Sequence, residues 1–169
     1  MKKIIILFAF VSSVFYVMAQ FSTGLSGEFL YPLPKLKERV DFGYGPSLAA
    51  GYTFKNNITV SLEYEYILFN SLIQNYKQQA EYLSVTYNFF DKGVIPYLGL
   101  KAGFFQSVQS VVNQKLTDNY FGLVPTVGLI FDSGLITNLR IKTNFSYTNV
   151  FDENEFRFLK FGIGLNYYF

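Results

Sequence analysis

Apolar and polar residues alternate with a period of two through much of the chain, and the C-terminal segment shows this most clearly. One set of alternate positions there is apolar and consists of Leu159, Phe161, Ile163, Leu165, Tyr167 and Phe169. The positions between them are mostly small or charged and consist of Lys160, Gly162, Gly164, Asn166 and Tyr168. Because successive side chains of a β-strand point to opposite faces, this pattern predicts a strand with one apolar face. The small or charged opposite face favours contact of the apolar face with lipid rather than with a protein core.

Seven further segments repeat this alternation. Together with the C-terminal segment they give eight predicted strands: 21–31, 42–54, 58–68, 83–89, 95–105, 120–131, 139–147 and 159–169. Most of them are close to the ~9 to 11 residues that a tilted strand needs to cross a bilayer. We therefore predict an all-β fold, an eight-stranded antiparallel up-and-down transmembrane β-barrel.

The connections between these segments differ in length in a regular way. Tight polar turns at 55–57, 91–94 and 132–134 alternate with longer links near 32–41, 69–80, 106–119 and 148–155. Short turns on the periplasmic rim and long loops on the outer rim are typical of outer-membrane barrels. An even number of strands then places both termini in the periplasm, and the link 106–119 becomes a candidate outer loop for ligand contact.

Glycines and charges share the parity that faces the barrel interior. Most of the 13 glycines are on that side, and so are Glu28, Glu63, Glu65, Lys101, Arg140, Lys142 and Lys160. An isolated buried charge is costly, so these side chains are expected to pair. We expect a salt-bridged plug in which Glu63 and Glu65 meet Lys101, Arg140 and Lys142. Glu28 and Lys160 are expected to face each other where the first and last strands close.

The alternative is that the same charges line a narrow pore and that their pairs rearrange to let small solutes or ions through. The interior of an eight-stranded barrel is only wide enough for side chains to fill, which favours the plug.

The N-terminus has the pattern of an export signal. Lys2 and Lys3 precede an apolar run of about 14 residues, which is short of the ~20 that a transmembrane helix needs. Small residues at Val17 and Ala19 predict cleavage after Ala19, so that 1–19 is a cleaved signal peptide and 20–169 is the barrel domain. Without Lys2 and Lys3, the chain has 12 Lys and Arg against 12 Asp and Glu, so its basic pI is no indication of nucleic-acid binding.

Particular stretches carry a family resemblance. They are Pro96-Tyr97-Leu98-Gly99-Leu100-Lys101-Ala102-Gly103, Val124-Pro125-Thr126-Val127-Gly128 and the final Asn166-Tyr167-Tyr168-Phe169. With them the chain resembles the small eight-stranded outer-membrane β-barrel family of OmpX-like, OmpW-like and OmpA-barrel-like proteins, most of all those of Bacteroidota. The resemblance implies that Leu165, Tyr167 and Phe169 form a C-terminal insertion signal for the barrel-assembly machinery. It also implies a monomer in the cell outer membrane.

Catalytic chemistry finds little support in the sequence. Outer-membrane lipases and acyltransferases use a Ser or Asp with a His, and this chain has no His and no Cys. We expect no enzyme activity, no metal and no cofactor. The expected function is a structural or surface-interaction role, and a narrow porin-like channel is the alternative. In the first outer loop, Lys35, Lys37 and Arg39 are candidates for contact with lipopolysaccharide phosphates.

Overall fold

A computed structural model of the chain describes residues 20–37, 40–70, 75–111, 114–134, 136–151 and 157–169. The predicted signal peptide, 1–19, lies outside the described residues.

Eight antiparallel strands follow one another around a closed barrel. They are β1 (Gln20–Pro32), β2 (Phe42–Thr53), β3 (Ile58–Asn70), β4 (Asn75–Asn88), β5 (Ile95–Val111), β6 (Gln114–Asp132), β7 (Leu139–Phe151) and β8 (Arg157–Tyr168). Each strand pairs with the next one along the chain. The barrel closes between β1 and β8, from the pair Ser22 and Tyr168 to the pair Pro32 and Phe158. The all-β, eight-stranded antiparallel fold predicted from the alternation is confirmed.

The predicted parity of the strands is also confirmed. In β8, Phe161, Ile163 and Leu165 are about half exposed on the outside, whereas Lys160 is fully buried. The other strands repeat this arrangement, with Phe21, Leu25, Leu48, Leu62, Leu83, Leu98, Leu100, Val127 and Phe145 all exposed. The barrel is therefore mainly apolar outside and contains a group of buried charges inside, which is the reverse of a water-soluble sheet protein.

One end of the barrel, called the turn end, carries the short connections at 54–57, 89–94 and 133–138 together with Gln20 and Phe169. Asn57 and Gly93 adopt positive φ angles of 63° and 75° in these turns. Such a backbone is easiest for Gly and is tolerated by Asn, which accounts for the residues present. The opposite end, called the loop end, carries the other four connections.

Two of the predicted long connections at the loop end are wrong. β3 runs to Asn70 and β4 begins at Asn75, while β5 and β6 extend to Val111 and Gln114 and pair along that length. Residues 69–80 and 106–119 are therefore mostly strand. In the first half of β4 the outward positions include charged residues, because Lys77 and Glu81 face outward. The prediction relied on apolar residues at outward positions, so it placed the start of this strand too late, at residue 83.

The connection after β1 contains a short helix, α1 (Pro34–Lys37). The backbone N–H groups of Leu36 and Lys37 donate to the carbonyl of Leu33, at 2.9 and 3.0 Å, and the side chain of Leu36 is buried. This helix therefore covers part of the loop end. Within the described residues, no helix has the length and hydropathy of a membrane span.

Candidate functional site: the barrel interior

Four charged side chains meet in the middle of the barrel. Glu63 and Glu65 lie two residues apart on β3 and therefore point to the same inward face. The Nζ atom of Lys101 lies 2.5 Å from Oε2 of Glu63 and 3.8 Å from Oε1 of Glu65. The Nζ atom of Lys160 lies 2.6 and 2.8 Å from the two carboxylate oxygens of Glu65. All four residues are buried, so the ion pairs are formed away from water.

Tyr82 completes this cluster from β4. Its hydroxyl donates to Oε2 of Glu65 at 3.1 Å. The Nζ atoms of Lys101 and Lys160 lie 5.7 and 5.1 Å from the centre of its ring, within the range of a cation–π contact. Glu65 therefore accepts hydrogen bonds from an ammonium group and a phenol. These bonds offset part of the free energy needed to remove its charge from water.

The expected pair of Glu28 with Lys160 is wrong. In the β1–β8 register, Glu28 lies opposite Gly162, whereas Lys160 lies opposite Leu30 and extends its side chain to Glu65. Glu28 instead accepts hydrogen bonds from Ser26 Oγ at 2.8 Å and from Asn144 Nδ2 at 3.2 Å. A Cβ atom on Gly162 would overlap the Glu28 carboxylate, so glycine makes the room for this buried acid.

The expected contacts of Arg140 and Lys142 with the two glutamates of β3 are also wrong. Arg140 is near the turn end, where its Nε donates to Asp132 at 3.1 Å and its guanidinium lies 4.8 Å from the Tyr168 ring centre. The Lys142 Nζ lies 4.9 Å from the ring centre of Tyr97. Among the described residues, Lys142 forms no ion pair. Lys142 borders the same small cavity as Glu63 without approaching its carboxylate to ion-pair distance, whereas Arg140 lies beside Asp132 at the start of β7.

An apolar layer fills the barrel between the charged cluster and the loop end. Its main members are Leu30, Ile67, Phe69, Tyr76, Phe105, Val124, Val150 and Phe158, with Leu36 and Val40 from the α1 connection. The rings of Phe105 and Phe158 lie 6.4 Å apart at 76°, and those of Phe69 and Tyr76 lie 5.1 Å apart at 71°, both in edge-to-face geometry. Reasoning from glycines and charges missed this layer. The sequence does indicate the layer, because the inward-facing positions of the strands near the loop end carry large apolar residues.

The rest of the interior is polar, and two small cavities lie within its described part. One of about 20 Å³ is bordered by Glu28, Glu63, Lys101, Lys142 and Asn144. Another of about 20 Å³ lies closer to the turn end, beside Asn88 and Tyr168. A polar cavity of this size holds about one water molecule. Oε2 of Glu28 and Oδ1 of Asn144, which accept no hydrogen bond from the part of the chain that the structure describes, suit such a water.

The predicted C-terminal signal residues lie on the outer surface. Leu165, Tyr167 and Phe169 all point outward and are exposed. The backbone N–H of Phe169 donates to the carbonyl of Phe21 at 2.9 Å, and their rings lie 5.6 Å apart. The end of the chain is thereby attached to the first strand.

Of the three cations proposed for lipopolysaccharide contact, the structure describes the side chain of Lys37. Its Nζ donates to the Tyr31 hydroxyl at 2.9 Å, and this hydrogen bond raises the pKa of Lys37. Lys37 is thereby held as a cation beside an outward-facing aromatic residue at the loop end. The side chains of Lys35 and Arg39 lie outside the described residues.

Comparison with solved structures identifies the fold. The chain is similar to neisserial surface protein A, with a TM-score of 0.73 at 17% identity over 90% of this chain and 99% of that one. It is similar to OprG of Pseudomonas aeruginosa, with a TM-score of 0.66 at 14% identity over 90% and 96%. It is also similar to the attachment invasion locus protein Ail of Yersinia pestis, with a TM-score of 0.61 at 17% identity over 89% and 97%. No protein-family model and no curated protein matches the chain. The chain therefore has the fold of small outer-membrane β-barrels.

Proposed function

We propose that this chain is an integral protein of the outer membrane with a structural or surface-interaction role. The observation that carries the proposal is the inverted barrel, with large apolar side chains exposed around its outer wall and buried charges within it. In water such a wall would favour association, whereas a bilayer solvates it. The likeness to a neisserial surface protein and to an attachment protein of Yersinia pestis supports a role at the cell surface.

The proposal includes a route to the membrane. The signal peptide 1–19 directs export, and the barrel-assembly machinery reads Leu165, Tyr167 and Phe169 on the outer face of β8. The turn end and both termini are periplasmic, the loop end faces outward, and the barrel acts as a monomer. The short turns at one end support this orientation.

A closed interior is favoured over a conducting pore. An ion crossing the barrel would have to displace the paired cluster around Glu65 and then the apolar layer of Phe69, Phe105 and Phe158. The small polar cavities near the turn end do not bypass either layer. The protein is proposed to have no enzyme activity, because its buried carboxylates Glu28, Glu63 and Glu65 are all engaged in hydrogen bonds or ion pairs inside the barrel.

At the loop end, Lys35, Lys37 and Arg39 are proposed to contact phosphates of lipopolysaccharide. The test replaces all three with Gln and measures the lipopolysaccharide that copurifies with the barrel. The matched control replaces Lys55 and Lys92, two exposed residues of the turn end. A loss confined to the loop-end variant is expected, and equal amounts in both variants would contradict the assignment.

The membrane assignment itself is tested by expressing the full chain in a Gram-negative host and separating its membranes. We expect the protein in the outer-membrane fraction, with faster gel migration before heating than after heating. Purification from the periplasm without detergent would overturn the proposal. In planar bilayers we expect no stable conductance, and an open channel whose ion selectivity changes in Lys101→Glu would establish the pore alternative.

A further inference from the structure

One carboxylate lies on the outer wall, where the charges of the barrel are otherwise scarce. Glu81 on β4 is exposed and shares the outward face of that strand with Leu83. In the register, Glu81 lies opposite Tyr64 of β3 on one side and Phe104 of β5 on the other. Both of these aromatic residues also point outward. The carboxylate is therefore placed between two aromatic side chains on the lipid-facing surface.

An apolar groove adjoins Glu81 on this wall. It has a volume of about 700 Å³, and its lining includes Ala50, Leu62, Leu83, Ala102 and Phe121. The register places Leu62 and Leu83 side by side, with the small Ala50 and Ala102 at the two ends of the same row. Gly103 allows β5 to lie close to β4 here, because a Cβ atom on it would overlap the carbonyl oxygen of Glu81. The groove is open to the surroundings of the barrel, and its lining is mainly apolar with the carboxylate of Glu81 as a charged group.

The charge of Glu81 defines which ligand complements the groove. Among the described residues Glu81 forms no ion pair, so its charge is free to meet a ligand. A carboxylate repels an anionic head group and attracts an ammonium group, to which it offers strong charge-assisted hydrogen bonds. The neighbouring aromatic side chains of Tyr64 and Phe104 are placed to add cation–π attraction for the same group. The apolar groove beside them suits an acyl chain.

We propose that this groove binds a lipid whose head group carries an ammonium group, with the head at Glu81 and an acyl chain against Leu83 and Ala102. The inference rests on the proposed membrane location, because the groove is on the wall that meets lipid. It assigns a lipid preference to one side of the barrel, formed by β2 to β6.

The experiment uses native mass spectrometry of the purified full barrel in detergent. The two probes are lysophosphatidylethanolamine and lysophosphatidylglycerol with the same acyl chain, which differ in the presence of the ammonium group. We expect the first to bind about tenfold more tightly, the scale of one hydrogen bond to a charged group. Glu81→Gln is expected to remove this preference, and Ala102→Leu to weaken binding of both probes by filling the groove.

Two control variants lie outside the groove. Asp118→Asn removes an exposed carboxylate from β6, and Thr143→Leu enlarges an outward residue on β7. Both are expected to keep the preference of the unmodified protein. Equal binding of the two probes, tighter binding of the anionic probe, or an unchanged preference in Glu81→Gln would overturn the inference.

Failure of this inference is distinguishable from failure of the proposed function. Heat-modifiable migration in the outer-membrane fraction is measured on the same preparations. A barrel that passes this measurement without a lipid preference overturns only the groove assignment. A chain absent from the membrane fraction overturns both.

Discussion

Lys160 and Glu65 form a two-pronged ion pair across the barrel interior, with N–O distances of 2.6 and 2.8 Å, although they lie 95 positions apart in the chain. Both side chains are essentially inaccessible to water. Removal of one partner from a buried pair leaves an uncompensated charge. The ion pair connects β3 with β8. The loss of stability on removing it therefore depends on which of the two partners is replaced.

Glu65→Leu is expected to lower the free energy of unfolding by about 3–5 kcal/mol, because Lys160 then has no carboxylate partner. Lys160→Met should cost less, since Glu65 retains Tyr82 and the nearby Lys101. Urea unfolding of the barrel in lipid vesicles measures both values. A larger loss for Lys160→Met than for Glu65→Leu would contradict this description of the cluster.

Tyr82→Phe removes one hydrogen bond to Glu65 and leaves the aromatic ring in place. The expected loss of unfolding free energy is about 1.5–3 kcal/mol, the range for hydrogen bonds to charged groups. Tyr87→Phe is the matched control, because Tyr87 is on the same strand and faces outward. Equal effects in the two variants would show that the Tyr82 hydroxyl adds no stability through Glu65.

Phe105 and Phe104 are adjacent on β5 but face opposite sides, and they test the apolar layer. Phe105 is fully buried, whereas Phe104 is 66% exposed. Phe105→Ala should cost about 3–5 kcal/mol, because it removes packing and leaves a cavity. Phe104→Ala should cost less, since lipid refills the space and no cavity remains. The same urea titration compares them, and the opposite order would be incompatible with a packed loop-end layer.

Gly103 and Gly27 provide a matched pair of alanine substitutions. A Cβ atom on Gly103 would overlap the Glu81 carbonyl, whereas one on Gly27 has open space around it. We expect Gly103→Ala to reduce the heat-modifiable fraction and Gly27→Ala to leave it unchanged. Full folding of Gly103→Ala would show that β4 and β5 are separated more widely than described.

The strands and their parity follow from the sequence because every strand within the apolar band carries the same two-residue alternation. The extension of β4 does not follow, since Lys77 and Glu81 are charged residues on its outward face. The extensions of β5 and β6 do not follow either, since the polar Gln106 and Asn119 face outward there and hydrogen-bond to each other. Parity also places Glu28, Glu65 and Lys160 inside the barrel. It does not specify their partners, because the pairing of side chains across the interior depends on the register of strands far apart in the chain. A one-residue change of register would move every side chain to the other face.

The outward orientation of the apolar wall is the central claim, and the absence of cysteine from the chain allows a direct measurement. Spin labels are attached to Leu100→Cys and Val127→Cys on the outer wall, and to Lys92→Cys in a turn as the control. Power-saturation electron paramagnetic resonance in vesicles then compares collisions with oxygen, which concentrates in lipid, and with a water-soluble nickel chelate. We predict that oxygen dominates at residues 100 and 127 and that the chelate dominates at residue 92. Dominance of the chelate at all three positions would contradict a membrane-embedded barrel.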